Sequence, residues 1–382
     1  MKILHILADS DPAKGGVIEG VVRLGDAYRA LGHEQHLLTL DVPDDPWVSA
    51  PPSRIFPLGK AGTTKRFYPS RAIGWLHAHA RDYDGIIVDG LWNAATLAAS
   101  RVLPGSGAAY AVFPHGMLDP WFREVQPVKE WVKRQVFRVN ERPLLRGARA
   151  VLFTTQTERE LARLSWPGWH GIAEQVVGFG AGEPPAREAV DVAAFRAKVA
   201  GLGEAPYLLF MSRIHPKKGC ELLLEGFARA VKDERMQLVI AGPGDPSYRA
   251  ELQGLAQRLG IAAKVHWPGM LSGDDKWAAL HGCEAMALIS YQENFGVVVA
   301  EALACGKPVV ISDQVNINDA VTRASAGLVC ETNTASVASA LTDFSHMQAD
   351  EREAMGQRGR QLFEREFSME EVAKRVMALF ER

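Results

Sequence analysis

Residues 285–312 read AMALISYQENFGVVVAEALACGKPVVIS. The stretch opens on a short apolar run, AMALIS, and closes on another, PVVIS. Each has the length and composition of a strand buried on both faces. Between them VVVAEALA reads as a helix. It starts at Gly296 and stops at Cys305-Gly306, with Pro308 just beyond. Strand, helix and strand in this order make a βαβ unit of a parallel sheet. Glu293 and Glu301 stand eight residues apart, one in the loop and one in the helix. Their spacing alone leaves two readings open. They are a loop edge and a surface helix position, or they grip a molecule that carries hydroxyls and phosphates.

The same rhythm runs outward in both directions. KILHILA (2–8), HLLTL (36–40), GIIVDG (85–90), AAYAVF (108–113) and AVLFTT (150–155) form a first series of strand candidates. YLLFMS (207–212), MQLVIAG (236–242), AKVHWPG (263–269), AMALIS and PVVIS form a second. A helical period separates them, as in 17–31, where Val17, Val21, Leu24, Tyr28 and Leu31 share a face and Gly32 closes the helix. Two doubly wound α/β domains are therefore expected. The 382-residue length also exceeds one ordinary core. The GFGAGEPP stretch, within about 178–205, is read as the hinge. The Pro-rich tract 41–60 is read as a surface excursion of the first domain. The final stretch, FSMEEVAKRVMALFER (367–382), is an amphipathic helix with Ser368 and Glu371 at cap spacing and Val372, Val376, Leu379 and Phe380 on its apolar side.

Composition narrows the function. The chain is 47% hydrophobic and 23% charged, with a formal net charge of −2. Such a balance supplies no global field for nucleic acid. Cys220, Cys283, Cys305 and Cys330 form no C-x-x-C pair and no zinc spacing, so reduced thiols in a cytoplasm are expected. MKILHILADSD has too short an apolar run, and acids too near it, for a signal peptide, and is read as a first strand. No stretch reaches a membrane span.

Four loops at the carboxyl ends of expected strands hold chemistry. The first is the loop ahead of Gly296. A helix starting there points backbone N–H groups above the sheet, where phosphate binds. The second follows YLLFMS. There Arg213 and Lys218, with Lys217 adjacent, suit a diphosphate as a planar fork and a point charge, and Gly219 allows a tight turn into the next helix. Solvated charges are the other reading. The third is DPAKGGVIEG (11–20), where Gly15 and Gly16 permit close approach of an anion or are a plain glycine loop. It does not spell G-x-G-x-x-G, so a nicotinamide site gains little support. The fourth is PHGMLDPWF (114–122), where His115 is either a substrate donor or acid/base group, or a structural histidine. The triplets Asp9-Ser10-Asp11 and Asp82-Tyr83-Asp84 are at chance frequency, and no metal is expected on them.

Together these residues resemble the retaining nucleotide-sugar glycosyltransferases of the GT-B fold, glycosyltransferase family 4. ENFGVVVAEALACGKPVV is similar to that family's E-x7-E segment, and SRIHPKKG to its Arg…Lys diphosphate segment. AGPGDPSY (241–248) and VHWPGML (265–271) fall where its intervening loops fall. The likeness is dense in the C-terminal half and thin in the N-terminal half. VGFGAGEP departs from the Asn-Gly turn that family members often carry into the hinge.

The resemblance implies two Rossmann-like domains facing across a cleft: 1–185 for the acceptor, 186–366 for the nucleotide sugar, and a helix 367–382 returning to the first. It implies that Arg213 and Lys218 hold the donor diphosphate, and that Glu293 contacts the donor sugar. Asn294, Phe295, Gly296 and Val297 lie at the donor, with backbone N–H groups of Phe295 and Gly296 near the sugar. Glu301 binds the ribose, Gly15 and Gly16 approach the phosphate, and His115 meets the sugar. The implied substrate is a nucleoside-diphosphate sugar, with no metal or other cofactor. Retention is implied by the resemblance, with no nucleophile visible. Two competitors remain: a nucleotide-sugar epimerase or hydrolase of the same fold, and a non-catalytic nucleotide-sugar-binding module.

The acceptor is expected to be a saccharide or a lipid-linked sugar. Residues 121–149 hold eight Lys/Arg against three Glu, with Trp121, Phe122, Trp131, Val132 and Phe137 interspersed. This pattern fits either a helix lying on an anionic membrane at the inner face of the plasma membrane, or a solvated face over core aromatics.

Overall fold

A computed structural model describes residues 1–12, 16–48, 53–59, 69–120, 127–166, 168–230 and 235–381. The chain forms two compact units. One is Met1–Gly180 with Met369–Arg382, the other Ala181–Ser368. The boundary falls five residues before the expected 185/186. Ala181 already belongs to the second unit, where its N–H donates to the Phe367 carbonyl (2.9 Å).

The first unit holds a seven-stranded sheet: β1 (Lys2–Ile6), β2 (Glu34–Thr39), β3 (Arg54–Pro57), β4 (Gly85–Asp89), β5 (Tyr110–Phe113), β6 (Ala150–Phe153) and β7 (Glu174–Val176). Its order is β3-β2-β1-β4-β5-β6-β7, and every pairing is parallel. Alternation sends Leu4, Ile6, Val88 and Val112 into one core and Ile3, Ile87, Ala111 and Leu152 into the other. The tract 41–60 is thus more than a surface excursion, because Arg54–Pro57 pairs with β2 as an edge strand. Pro57 is tolerated there because only one side of an edge strand needs donors.

The helix Met369–Ala378 belongs to the first unit. It seals the second of these cores with Val372, Val376 and Met377, and Phe380 follows it into the same core. Each such burial contributes about 1.5–3 kcal/mol. Gly85 makes the fit, since a Cβ there would meet the Phe380 ring at 2.5 Å. Arg149 and Arg375 tie the segment down by donating to the carbonyls of Leu379 (2.7 Å) and Val177 (3.3 Å).

The second unit holds six parallel strands: β8 (Tyr207–Met211), β9 (Gln237–Ala241), β10 (Val265–Gly269), β11 (Ala285–Leu288), β12 (Val309–Ser312) and β13 (Gly327–Cys330). Their order is β10-β9-β8-β11-β12-β13. From β8 the chain winds one way through β9 and β10, then jumps back to β11 and winds the other way. β8 and β11 therefore flank the point where the winding reverses, and in such sheets that is where a crevice opens above the strand ends. In the first unit the same reversal lies between β1 and β4.

Candidate functional site

In the second unit the loops at this reversal are held rigidly. Gly219 ends the 3-10 turn Pro216–Lys218 with φ +62°, and a Cβ there would lie 1.9 Å from the Ile289 carbonyl oxygen. Glycine alone lets the turn press flat against the end of β11. The Tyr291 N–H then donates to the Lys217 carbonyl (2.9 Å). On its far side the same loop is pinned to the turn after β12, where Glu293 N–H donates to the Gln314 carbonyl and Asn316 N–H to the Glu293 carbonyl, both at 3.0 Å.

This brings two predicted residues together. Lys218 donates to Glu293, 75 residues away in sequence, and both side chains are largely covered. Gly296, at φ +78°, starts the helix Val297–Ala304 just beyond. Asn294 stays in the loop, while Phe295 turns into the core, its ring edge-on to Phe367 at 5.4 Å. Arg213 stands exposed two residues past β8.

Glu301 is not a surface position. Its residue is 3% exposed, on the inner face of the helix, and Lys276 of the helix Gly273–Gly282 donates to it at 2.5 Å. The Lys276 ammonium also lies 4.7 Å from the centre of the Trp277 ring. A buried carboxylate with a cation beside it is costly to build. The sequence carried no signal for Lys276, which sits 25 residues ahead of its partner.

In the first unit His115 sits beyond β5 in the left-handed region, at φ +51°. Its ring stacks on Phe113 (4.1 Å between centroids) and meets the edge of Phe179 (5.9 Å). Asp89, the last residue of β4, accepts from both His115 Nε2 and His5 Nδ1 at 2.8 Å. Burial pushes the Asp89 carboxyl up, but His5 and His115 outweigh it and hold it below the ordinary range. Glu158 fixes the backbone of the same turn. It accepts from Gly116 N–H (2.7 Å) and from the N–H and hydroxyl of Thr154 (2.7 and 2.6 Å). Burial raises its carboxyl above the usual value despite these bonds. Asp89, His5 and Glu158 escaped the sequence reading. For Glu158 a signal existed, Thr155-x-x-Glu158 ahead of a helix, a capping-box pattern.

Gly16 opens the helix Gly16–Ala30 and is exposed, with open space where a Cβ would stand. Gly15 lies outside the described residues, as do Trp121 and Phe122. Of the two aspartate triplets, Asp84 accepts from the Lys2 N–H (2.7 Å) and Asp82 pairs with His79 (3.0 Å).

Residues 191–362 match the family model described as "Glycosyl transferases group 1", and residues 15–169 match "Glycosyl transferase 4-like domain". A D-inositol 3-phosphate glycosyltransferase of Salinispora tropica is 31% identical over 188 residues, which are 47% of this chain and 39% of that protein. The match thus spans well under half of the relative's length. Sucrose-phosphate synthase from Thermosynechococcus elongatus superposes with a TM-score of 0.77 at 22% identity, over 99% of this chain and 98% of that one. Anabaena Alr3699/HepE in complex with UDP and glucose superposes with a TM-score of 0.75 at 18% identity, over the same shares. At such identities the likeness shows the fold, two Rossmann-like parallel-sheet domains of the GT-B kind.

Proposed function

From a second unit that carries a group 1 glycosyltransferase domain, and a first that carries a glycosyl transferase 4-like domain, we infer that this chain is a retaining glycosyltransferase. It moves a sugar from a nucleoside-diphosphate sugar to a saccharide or lipid-linked acceptor in cell-surface polysaccharide synthesis. The carrying observation is the meeting of Lys218 and Glu293 where the winding of the second sheet reverses, beside the start of the helix Val297–Ala304.

The chemistry follows from charge. As the sugar leaves, negative charge grows on the diphosphate. Arg213, Lys218 and backbone N–H groups at the start of the helix Val297–Ala304 receive it, and fixed donors need no reorganisation when the charge appears. This scheme requires no metal. Glu293 accepts from hydroxyls of the donor sugar. Glu301, held by Lys276, accepts from the ribose. In the first unit Gly16 leaves room for close approach of a phosphate, and His115 contacts the sugar.

The acceptor end is assigned to the segment 131–149 and an anionic membrane surface on the cytoplasmic side. Trp131 is 63% and Val139 71% exposed, with Val132 and Val136 between them. The described ionisable side chains here are Lys133, Arg134, Arg138, Arg142, Arg146, Arg149 and Glu141. Glu141 is fully buried, and burial raises its carboxyl pKa, so the exposed charge is cationic. Phe137, one of the aromatics interspersed in this stretch, is a core residue packed against Trp166 (4.8 Å). No helix among the described residues is long and apolar enough to cross a membrane.

Thermal shift against a panel of nucleoside-diphosphate sugars tests the reading. HepE structures hold UDP-glucose, so it heads the panel. A donor at a hundredfold its Kd stabilises by about 2.7 kcal/mol. A panel in which no member raises the Tm would overturn the proposal.

A further inference from the structure

We propose that Asp89 is a positioning residue that locks His115 into one tautomer, so that Nδ1 is presented to substrate as a hydrogen-bond acceptor. The inference deepens the reading of His115 as a sugar contact and rests on it.

An ionised carboxylate only accepts. Asp89 is buried at the end of β4, with His115 Nε2 on one oxygen and His5 Nδ1 on the other. Both rings must therefore donate to it, His115 from Nε2 and His5 from Nδ1. The second nitrogen of each ring differs in its surroundings. His5 Nε2 is buried and meets no hydrogen-bond partner among the described residues. A proton there would be a buried donor with nothing to donate to, so His5 has one acceptable tautomer. His115 Nδ1 is not among the sealed, unpartnered atoms, and the ring, its side chain 6% exposed, is held between Phe113 and Phe179 beside a small apolar cavity that Gly20, Val21 and Met369 also line.

Among the described residues, the other ionisable groups around the array are Tyr28 and Glu158. The Tyr28 ring lies 6.0 Å from His5, and burial together with the Asp89 charge keeps its phenol protonated. Glu158 supports the turn through Gly116 N–H. The backbone of His115, at φ +51°, is strained for a residue with a side chain. A carboxylate on the ring and another on the next N–H hold it there.

The array gives an asymmetric prediction for Asp89→Asn. An amide has one accepting oxygen and one donating nitrogen. One ring must then change tautomer to accept from that nitrogen. His5 cannot, because its proton would move to the sealed Nε2, so His115 must switch to Nδ1–H.

Long-range 1H–15N correlation of the imidazole rings in the full-length chain at pH 8.5, assigned with His115→Gln and His5→Gln, reads this directly. The wild type is expected to show His115 protonated at Nε2 and His5 at Nδ1. Asp89→Asn is expected to move the His115 proton to Nδ1 and leave His5 unchanged. A proton on His115 Nδ1 in the wild type, or unchanged tautomers in a folded Asp89→Asn, overturns the proposal. Should that variant fail to fold, the wild-type spectrum alone decides. UDP-glucose added to the wild type separates the two claims. Unmoved His115 signals in a sample whose Tm that donor raises would sink the sugar-contact reading and leave the Asp89 assignment standing.

Discussion

Lys218 and Glu293 come from loops beyond two different strands, β8 and β11, and meet as an ion pair because Gly219 lets one loop lie flat on the other. The pair joins the cation proposed for the diphosphate to the carboxylate proposed for the sugar. Removing one fixed donor of this kind costs about 10²–10³ in turnover. Lys218→Ala is expected to lose that much in kcat for the donor that the thermal-shift panel selects, with its far-UV spectrum unchanged. Near-native turnover in the folded variant would contradict the assignment.

Two glycines separate structure from function. Gly219→Ala places a Cβ 1.9 Å from a carbonyl oxygen, at a φ that alanine avoids. It should destabilise by about 1–3 kcal/mol. Gly16→Ala meets open space, so its Tm should match the wild type within a degree or so, while donor affinity falls if a phosphate approaches there. Differential scanning calorimetry with and without donor reads both effects. An unaltered affinity in Gly16→Ala removes Gly16 from the site.

Glu301 sits almost wholly out of solvent with the Lys276 ammonium beside it. Lys276→Met takes a charged partner from a buried carboxylate, which costs about 3–5 kcal/mol. The double variant Lys276→Met/Glu301→Gln should recover part of that loss, because no buried charge remains. Urea unfolding of the two variants provides the test, and equal midpoints would show that the pair is not coupled.

Asp89 makes stability depend on pH. Its folded pKa lies below the ordinary value, so the unfolded chain binds the proton more readily. The contribution is complete above the unfolded pKa of about 3.9 and is lost as pH falls through the lower folded value. The stability gap between wild type and Asp89→Asn should therefore be widest near neutrality and shrink below about pH 4. A gap that widens on acidification would mean the carboxylate is not held ionised.

The cationic face predicts salt-sensitive membrane binding. Trp131→Ser with Val139→Ser should weaken flotation with anionic liposomes, and Lys133→Glu should weaken it further at low salt. Equal flotation with neutral and anionic vesicles would remove the electrostatic part of the assignment.

The strands that flank the proposed donor site were legible in residues 207–212 and 285–312 because each is a continuous apolar run closed by polar or glycine residues. Their buried-sheet character is a local property of the chain. The ends of the helix Val297–Ala304 were legible too, since Gly296 and Gly306 adopt positive φ where the backbone requires it. The edge strands β3, β7 and β13 were not, because three or four residues at a sheet margin carry no period of their own.

Tertiary structure alone decided which charged groups meet. Lys276 reaches Glu301 across 25 residues, His115 reaches Asp89 across 26, and His5 reaches Asp89 across 84. Strand order creates the two Asp89 contacts by setting β1 and β5 on either side of β4, and the Lys276–Glu301 contact forms between two helices of the second unit. Periodicity records which face of an element is buried, but a pairing between elements depends on how the sheet winds, and no local pattern encodes that.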